Sequence, residues 1–412
     1  MKILLWHGYL LGGTGSNVYT RSLARAWSRL GHEVVVFCQE PHPEAYDLGG
    51  ATVVRPEIDG PLPVFVLDRY EDLEPRYLQD LSRAERERFV ARNAAAVRAH
   101  LPADYLLMNH VLPGAAVGAA VGMPFAVKAH GSELEFSLRG NAELIAWARE
   151  SLARAAEVVV GSEHIREVLA EVVEWSENVR IVPPGVEVDD FRPEPREEAL
   201  AHLVAEARRD GPRRSERDPD GGNAARLEEF FSGDAPTVVY VGKLSQEKGV
   251  HLLLDALAHV GEARTVVVGF GPARPKLEGQ ARHLRALFTG PLEHRHLRHL
   301  WPLADVSVVP SVFPEAFGMV AAEAAACGSP PLVARHSGLA AVAEGLEAEY
   351  PPRHRGLTSF APGDVDDLAS KLHTILTLPR PEWQLLSAAA RRTVVARWSW
   401  ERVAALLVSR HG

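Results

Sequence analysis

Short apolar runs alternate along this 412-residue chain with longer stretches whose apolar residues recur every three to four positions. That rhythm predicts strands alternating with helices around parallel sheets. In the first half the runs are KILLW, EVVVFC, ATVVR, DYLLM, PFAVKA and AEVVVGS. The pattern then restarts with TVVYVGK, RTVVVGF, LRALFTG, VSVVPS and SPPLVA, each followed by a helical or turn segment. Two doubly wound units are predicted rather than one sheet. KILLW reads as a buried first strand, and the helical YTRSLARAWSRLG, starting near Val18, ends at Gly31 just before the second strand. The end, WQLLSAAARRTVVARWSWERVAALLV, reads as one or two amphipathic helices anchored by Trp383 and Trp398.

The length agrees with two domains. Between the halves, residues 208–223 are rich in Arg, Asp, Gly and Pro with hardly an apolar side chain, so a mobile surface insertion at about 205–225 is expected. Arg208, Arg209, Arg213, Arg214 and Arg217 offer an acceptor-binding loop as a second reading, but interleaved acids favour a solvated linker. Hydrophobic residues at 46% and charged residues at 24% fit a globular protein. Residues 1–190 carry 18 Lys and Arg against 27 Asp and Glu, whereas residues 191–412 carry 27 of each. The acidic half argues against nucleic acid or an anionic lipid surface as its main partner. Cys38 and Cys327 lie far apart without CxxC or CxxH neighbours, so neither a disulfide framework nor a zinc site is indicated and a cytoplasmic location is expected. No run reaches 18 uninterrupted apolar residues, so no transmembrane segment is expected, while peripheral membrane association and oligomeric state stay open.

Several local patterns can carry chemistry. Gly12–Asn17 (GGTGSN) lies between the first strand and its helix, where glycines let backbone N–H groups approach a phosphate; a tight strand–helix turn explains it equally well. The glycine spacing is not GxGxxG, although Glu40 after the second strand keeps a dinucleotide oxidoreductase as an alternative. His130, in KAHGSELEFS, falls at the carboxyl edge of a sheet, where open α/β folds bind ligands, yet a lone His is more often structural. Lys243 and Lys248, in VGKLSQEKG, would offset the charge of a departing diphosphate if they are more than surface lysines.

In SVFPEAFGMVAAEAAACG, Glu315 and Glu323 are separated by seven residues. A helix beginning near Phe317 and ending at Gly328 puts Glu315 just before it, beside the N–H groups of Phe317 and Gly318, and Glu323 about two turns inward. The acids then point differently and read as separate acceptors for the hydroxyls of one extended ligand. Asp364–Asp366 reads as a helix cap rather than a metal ligand set. His294 and His296 would point about 200° apart on a helix, so His294, His296 and His299 read as a partly exposed helical face.

Together these pieces resemble the retaining glycosyltransferases of family 4. The likeness runs through GGTGSNVYTRSLARAWSRLGHEVVVF, DYLLMNH, VKAHGSE, VRIVPPGVEVDDF, VYVGKLSQEKGVHLLLDAL, VVVGFGP, FTGPLEHRHLRHLWPLADVSVVPS and PEAFGMVAAEAAACGSPPLVA, the last holding the family's E-x7-E element. The resemblance implies a GT-B fold, α/β, with two Rossmann-like doubly wound parallel-sheet domains facing across a cleft. It implies an acceptor-binding domain over 1–190, a nucleotide-sugar-binding domain over 191–382, and C-terminal helices over 383–412 that cross back. By the same likeness Gly13, Gly15, Lys243, Lys248, Leu292, Glu315, Phe317, Gly318, Met319 and Glu323 would bind the donor. Lys243 stands where the family usually has Arg, losing a bidentate fork. His130, Lys248 and Glu315 would be catalytic, and Asn17, His110 and Glu133 would lie on the acceptor side. The activity implied is metal-independent transfer of a hexose, with retention, from a nucleotide sugar (UDP-hexose favoured, GDP-sugar as the alternative) to an acceptor hydroxyl, with no other cofactor. A GT-B sugar-nucleotide epimerase and a non-catalytic sugar-nucleotide-binding protein are the competing readings.

Overall fold

The computed structural model describes residues 1–65 and 72–409. Two compact units emerge: Met1–Gly185 together with the segment from Trp400 onward, and Val186–Ser399. The end of the expected 383–412 segment, residues 410–412, lies outside the described residues.

The first unit contains strands β1 (Lys2–Trp6), β2 (Glu33–Phe37), β3 (Thr52–Val54), β4 (Leu62–Val64), β5 (Pro75–Tyr77), β6 (Tyr105–Asn109), β7 (Ala126–Lys128), β8 (Glu157–Val160) and β9 (Val179–Ile181). Seven form a parallel sheet in the order β3-β2-β1-β6-β7-β8-β9, while β4 and β5 pair separately. β1 lies in the interior between β2 and β6, with Ile3 opposite both Val34 and Tyr105. Its run is continuously apolar because both faces are covered. Leu4 and Trp6 pack in one core layer, Ile3 and Leu5 in another with Trp27 and Trp400. Trp27 Nε1 donates to the Ala404 carbonyl at 3.0 Å, which fastens the terminal helix Trp400–Val408 to this face.

The second unit holds β10 (Thr237–Val241), β11 (Arg264–Val268), β12 (Arg285–Gly290), β13 (Val306–Val309), β14 (Pro331–Ala334) and β15 (Ser359–Phe360), in the order β12-β11-β10-β13-β14-β15. All neighbours run parallel. In each sheet the winding direction reverses once, between β1 and β6 and between β10 and β13, and crevices for ligands open at the carboxyl ends of strands at such points.

The structure corrects several expectations. The first helix spans Gly15–Arg29, so it starts before Val18 and includes Gly15. The helix expected from Phe317 spans Met319–Ala326, because Gly318 at φ +108° breaks the αR run just before it. Helix Arg380–Arg397 belongs to the second unit, with Trp383 Nε1 donating to the Asp305 carbonyl at 2.8 Å; within the expected C-terminal pair only the terminal helix belongs to the first. The loop expected to be mobile is tied down. It links helices Arg196–Arg208 and Asn223–Phe230, and Asp220 at its end takes a bidentate pair from Arg274 and a 2.7 Å bond from Arg213. Asp364 does cap its helix, accepting from the Asp367 N–H at 2.9 Å. Both cysteines are buried and free. Among the described residues no helix is long and apolar enough to cross a membrane.

Candidate functional site

In the second unit the candidate donor residues gather where the winding reverses. After β10, Tyr240 donates its hydroxyl to the Lys243 carbonyl at 2.9 Å and holds the turn. Gly249, at φ +67°, comes so close to Pro310 that a Cβ there would lie 1.9 Å from the Pro310 carbonyl oxygen. This approach brings the loop after β10 onto the loop after β13, and the N–H groups of Val312 and Phe313 then donate to the Glu247 carbonyl at 2.9 and 3.2 Å. Glu315 is fixed through its backbone: its N–H donates to Ser337 Oγ at 2.9 Å, and its carbonyl accepts from Gly338 N–H at 2.9 Å. The outcome is an ion pair with Lys248 Nζ 2.5 Å from Glu315 Oε1, both side chains partly exposed.

Beyond Glu315, Phe317 is buried edge-on against Trp398 at 5.4 Å between ring centroids, so its side chain is core and its backbone is what remains for a ligand. Gly318 turns the chain into the helix Met319–Ala326, where the Gly318 carbonyl takes the Ala321 and Ala322 N–H groups and those of Met319 and Val320 precede the helical ladder. A side chain at Gly318 would meet Leu339 Cδ2 at 2.7 Å. Glu323 is buried on this helix with Oε1 3.4 Å from Nε2 of His294, which stands at the start of helix His294–Leu300 after β12. Leu292 and Met319 are half-buried against the same core, and Lys243 is exposed.

His294 is a residue that the sequence reading passed over. The angular argument compared histidines only with each other, whereas the acid that approaches His294 comes from another helix. His294 is exposed as expected, but His296 is not: it is fully buried, with Nε2 3.1 Å from Asp210 Oδ1. His299 meets Glu194 at 2.7 Å and, with His202, forms a set of three potential metal ligands within 4.8 Å of one another. The tautomer opposes metal binding there. Arg298 Nε donates to His299 Nε2 at 3.1 Å, so Nδ1 is the ring nitrogen that donates to Glu194.

In the first unit, polar residues converge at the reversal between β1 and β6. His130 Nε2 lies 2.7 Å from Asn109 Oδ1, and since Asn109 Nδ2 donates to Trp6 O and Thr20 Oγ1, the ring N–H points to Asn109 and Nδ1 stays an acceptor. Glu133 is wholly buried; it accepts from the His130 N–H at 3.0 Å and lies 3.3 Å from His110 Nδ1. Burial alone would raise the Glu133 carboxyl, but His110 and the His130 N–H outweigh it and hold it below the usual range. Asn17 Nδ2 donates to the Gly12 carbonyl, which leaves its Oδ1 to accept from His7 Nε2 at 2.8 Å. Gly13, at φ +92°, and Gly15 are exposed with open space around them.

His7, Asn109 and Lys128 belong to this cluster too, and the apolar runs that contain or flank them hid them. Burial presses Lys128 down to about 7, against the pull of Glu133. Glu40 is occupied as a brace, accepting from the N–H groups of Leu11 and His42 at 3.0 and 3.2 Å, which removes the ribose acid that a dinucleotide site would need.

A pH dependence follows. Burial lowers His7 from 6.5 to about 3, and burial with His110 and Lys128 beside it lowers His130 well below 6.5. The unfolded chain therefore takes up protons below pH 6.5 that the folded chain refuses, so stability contributed by these neutral rings is whole above 6.5 and is lost as pH falls toward 3. Urea midpoints measured at pH 7 and pH 5 are expected to fall, and to fall less in His7→Gln. Equal declines in the two proteins would remove His7 from the account.

Comparison with known proteins adds the following. Residues 14–185 match the family model described as a glycosyl transferase 4-like domain, and residues 235–377 match that of glycosyl transferases group 1. The chain is 32% identical over 169 residues to the sulfoquinovosyl transferase SQD2 of Arabidopsis thaliana, covering 40% of this chain and 31% of that protein. It is 28% identical over 433 aligned positions to D-inositol 3-phosphate glycosyltransferase 2 of Catenulispora acidiphila, covering 95% and 88%. The first curated relatives are matched over only 31–40% of their own length. Among solved structures, Anabaena HepE in complex with UDP and glucose superposes with a TM-score of 0.69 at 17% identity, covering 100% of this chain and 99% of that one.

Proposed function

The chain belongs to glycosyltransferase family 4 and has the GT-B fold, and from that premise we propose that it moves a hexose, with retention, from a nucleoside diphosphate sugar to an acceptor hydroxyl. The observation that carries this reading is the pairing of Lys248 with Glu315. A cation suited to a diphosphate and a carboxylate suited to sugar hydroxyls stand side by side at the mouth of one sheet. The HepE neighbour holding UDP and glucose supports a uridine nucleotide.

The roles follow from the chemistry. Breaking the sugar–phosphate bond puts negative charge on the leaving diphosphate and positive charge on the ring. Lys248 and the exposed Lys243 meet the diphosphate, which is why the reaction calls for no metal. Glu315 and the N–H groups of Phe317 and Gly318 hold hexose hydroxyls. Glu323, with His294 beside it, accepts from the ribose, and Leu292 and Met319 line the donor. In the first unit Gly13 and Gly15 present amides to a phosphate, and Asn17, His110 and Glu133 arrange the acceptor. His130 accepts a hydroxyl at Nδ1. With no carboxylate assigned to attack the far side of the sugar, the acceptor oxygen enters on the face that the diphosphate leaves. Its C–O bond forms as the C–O bond to phosphate breaks, and the departing phosphate oxygen takes the proton.

Incubation with UDP-glucose and a panel of hydroxyl acceptors, followed by proton NMR of the products, tests this. An α-linked product is expected. A β-linked product would overturn retention, and an epimer formed without acceptor would overturn transfer.

A further inference from the structure

The clasped loop between helices Arg196–Arg208 and Asn223–Phe230 sits at the ligand-binding edge of the second sheet. Asp220 N–H donates to the Thr289 carbonyl at 2.8 Å, and a Cβ at Gly290 would come within 2.8 Å of Asp220 Oδ1, so the loop lies against the end of β12. Asp220 is held by Arg274, Arg213 and Arg226. Its inner turn is closed as well: the Asp218 carboxylate accepts from the N–H groups of Arg214 and Ser215 at 2.9 and 2.7 Å. The Arg217 guanidinium carbon, on this turn, lies 6.0 Å from the centre of the Phe270 ring.

Phe270 is half-buried on the same edge of the sheet. It lies between Gly269 and Gly271, where a Cβ would fall 1.8 Å from the Gly242 carbonyl oxygen and 2.4 Å from that of Leu244. The loop after β11 is thus pressed on the loop that carries Lys243 and Lys248, and Leu244 N–H donates to the Phe270 carbonyl at 2.8 Å.

Resting on the nucleotide-sugar reading above, the path of the ligand can be drawn. The diphosphate lies at Lys248, between β10 and β13. The ribose lies at Glu323, which faces His294 on the helix after β12. The nucleotide therefore runs toward β12, and its base arrives at the loops after β11 and β12, beside Phe270 and Arg217. We propose that Arg217 reads the edge of the base, so that the donors of this chain carry a base with a ring carbonyl oxygen, uracil or guanine, in preference to adenine. A guanidinium is all donors. It matches O4 of uracil or O6 and N7 of guanine, whereas adenine keeps only N7 as an acceptor there and turns an amino donor toward it beside N7.

Equilibrium binding of UDP, GDP, ADP and inorganic pyrophosphate to the full chain tests this. The wild type is expected to bind UDP or GDP about tenfold or more tightly than ADP, and Arg217→Ala to bring that ratio near one with pyrophosphate affinity unchanged. Asp220→Asn, which loosens the clasp, is expected to lower the ratio in the same direction. A ratio retained in Arg217→Ala, or a wild type that binds ADP as tightly as the others, overturns the proposal. Weakened pyrophosphate binding in Arg217→Ala overturns it as well, since Arg217 would then be a phosphate contact. A wild type that binds neither pyrophosphate nor any nucleotide sinks the donor site itself, and this proposal with it.

Discussion

Lys248→Ala is expected to lower turnover at saturating donor by roughly 10²-fold or more, the size of effect seen when one donor to a developing oxyanion is removed. The expectation comes from position rather than charge alone. Lys248 ends the short turn Gln246–Lys248, and its ammonium is held at Glu315 by two stitched loops. A phosphate entering beside Glu315 meets a cation that is already in place, with little side-chain freedom left to lose. Lys248→Arg should recover part of the activity, because charge is kept while the compact ammonium becomes a wide fork. Measured kcat for the alanine variant within a few-fold of wild type would remove Lys248 from the chemistry.

The second large effect is expected from Gly249→Ala, a change of one methyl group. A left-handed φ of +67° costs an alanine about 1–2 kcal/mol. The added Cβ also cannot stay 1.9 Å from the Pro310 oxygen, so the two loops must part. Together these predict a loss of roughly 3 kcal/mol or more, and a melting transition of the second unit lower by about 6 °C or more. Turnover should fall with it, since parting the loops separates Lys248 from Glu315. Gly15→Ala is the companion measurement: nothing lies within 4 Å of its Cβ position, so its transition should stay near that of wild type. Calorimetry of the two variants decides the point, and an unshifted transition in Gly249→Ala would contradict the described loop contact.

Much of the architecture was legible because buried parallel strands write themselves as unbroken apolar runs, as in β1, β2, β10 and β11. Of the four edge strands of the two large sheets, β3 and β12 were legible in ATVVR and LRALFTG, while β9 and β15 were not. β9 is three residues long with Arg180 in its middle, and β15 is only two residues, so neither carries a periodic signal. The polar loop failed as a prediction for a different reason. Its composition denies it an apolar core, yet Asp220 gathers three arginines, and ion pairs between residues as distant as 220 and 274 leave no local trace in sequence. The candidate residues themselves were visible as types, but their grouping was not. Lys248 and Glu315 stand 67 positions apart and are joined by a glycine against a carbonyl, while the His7–Asn17 bond depends on where a strand ends.

The chain enters the second unit at Val186 and leaves it at Ser399, and these two residues pair in a bridge while Val186 N–H bonds the Trp398 carbonyl at 2.6 Å. Entry and exit are therefore neighbours, and the whole of Val186–Ser399 is one contiguous cassette with its two ends side by side. Such a cassette can be lifted from one relative and seated in another by joining the chain at just two adjacent points. A truncation at residue 399, by contrast, would strip Trp400 from the core of the first unit and leave Trp27 without its acceptor.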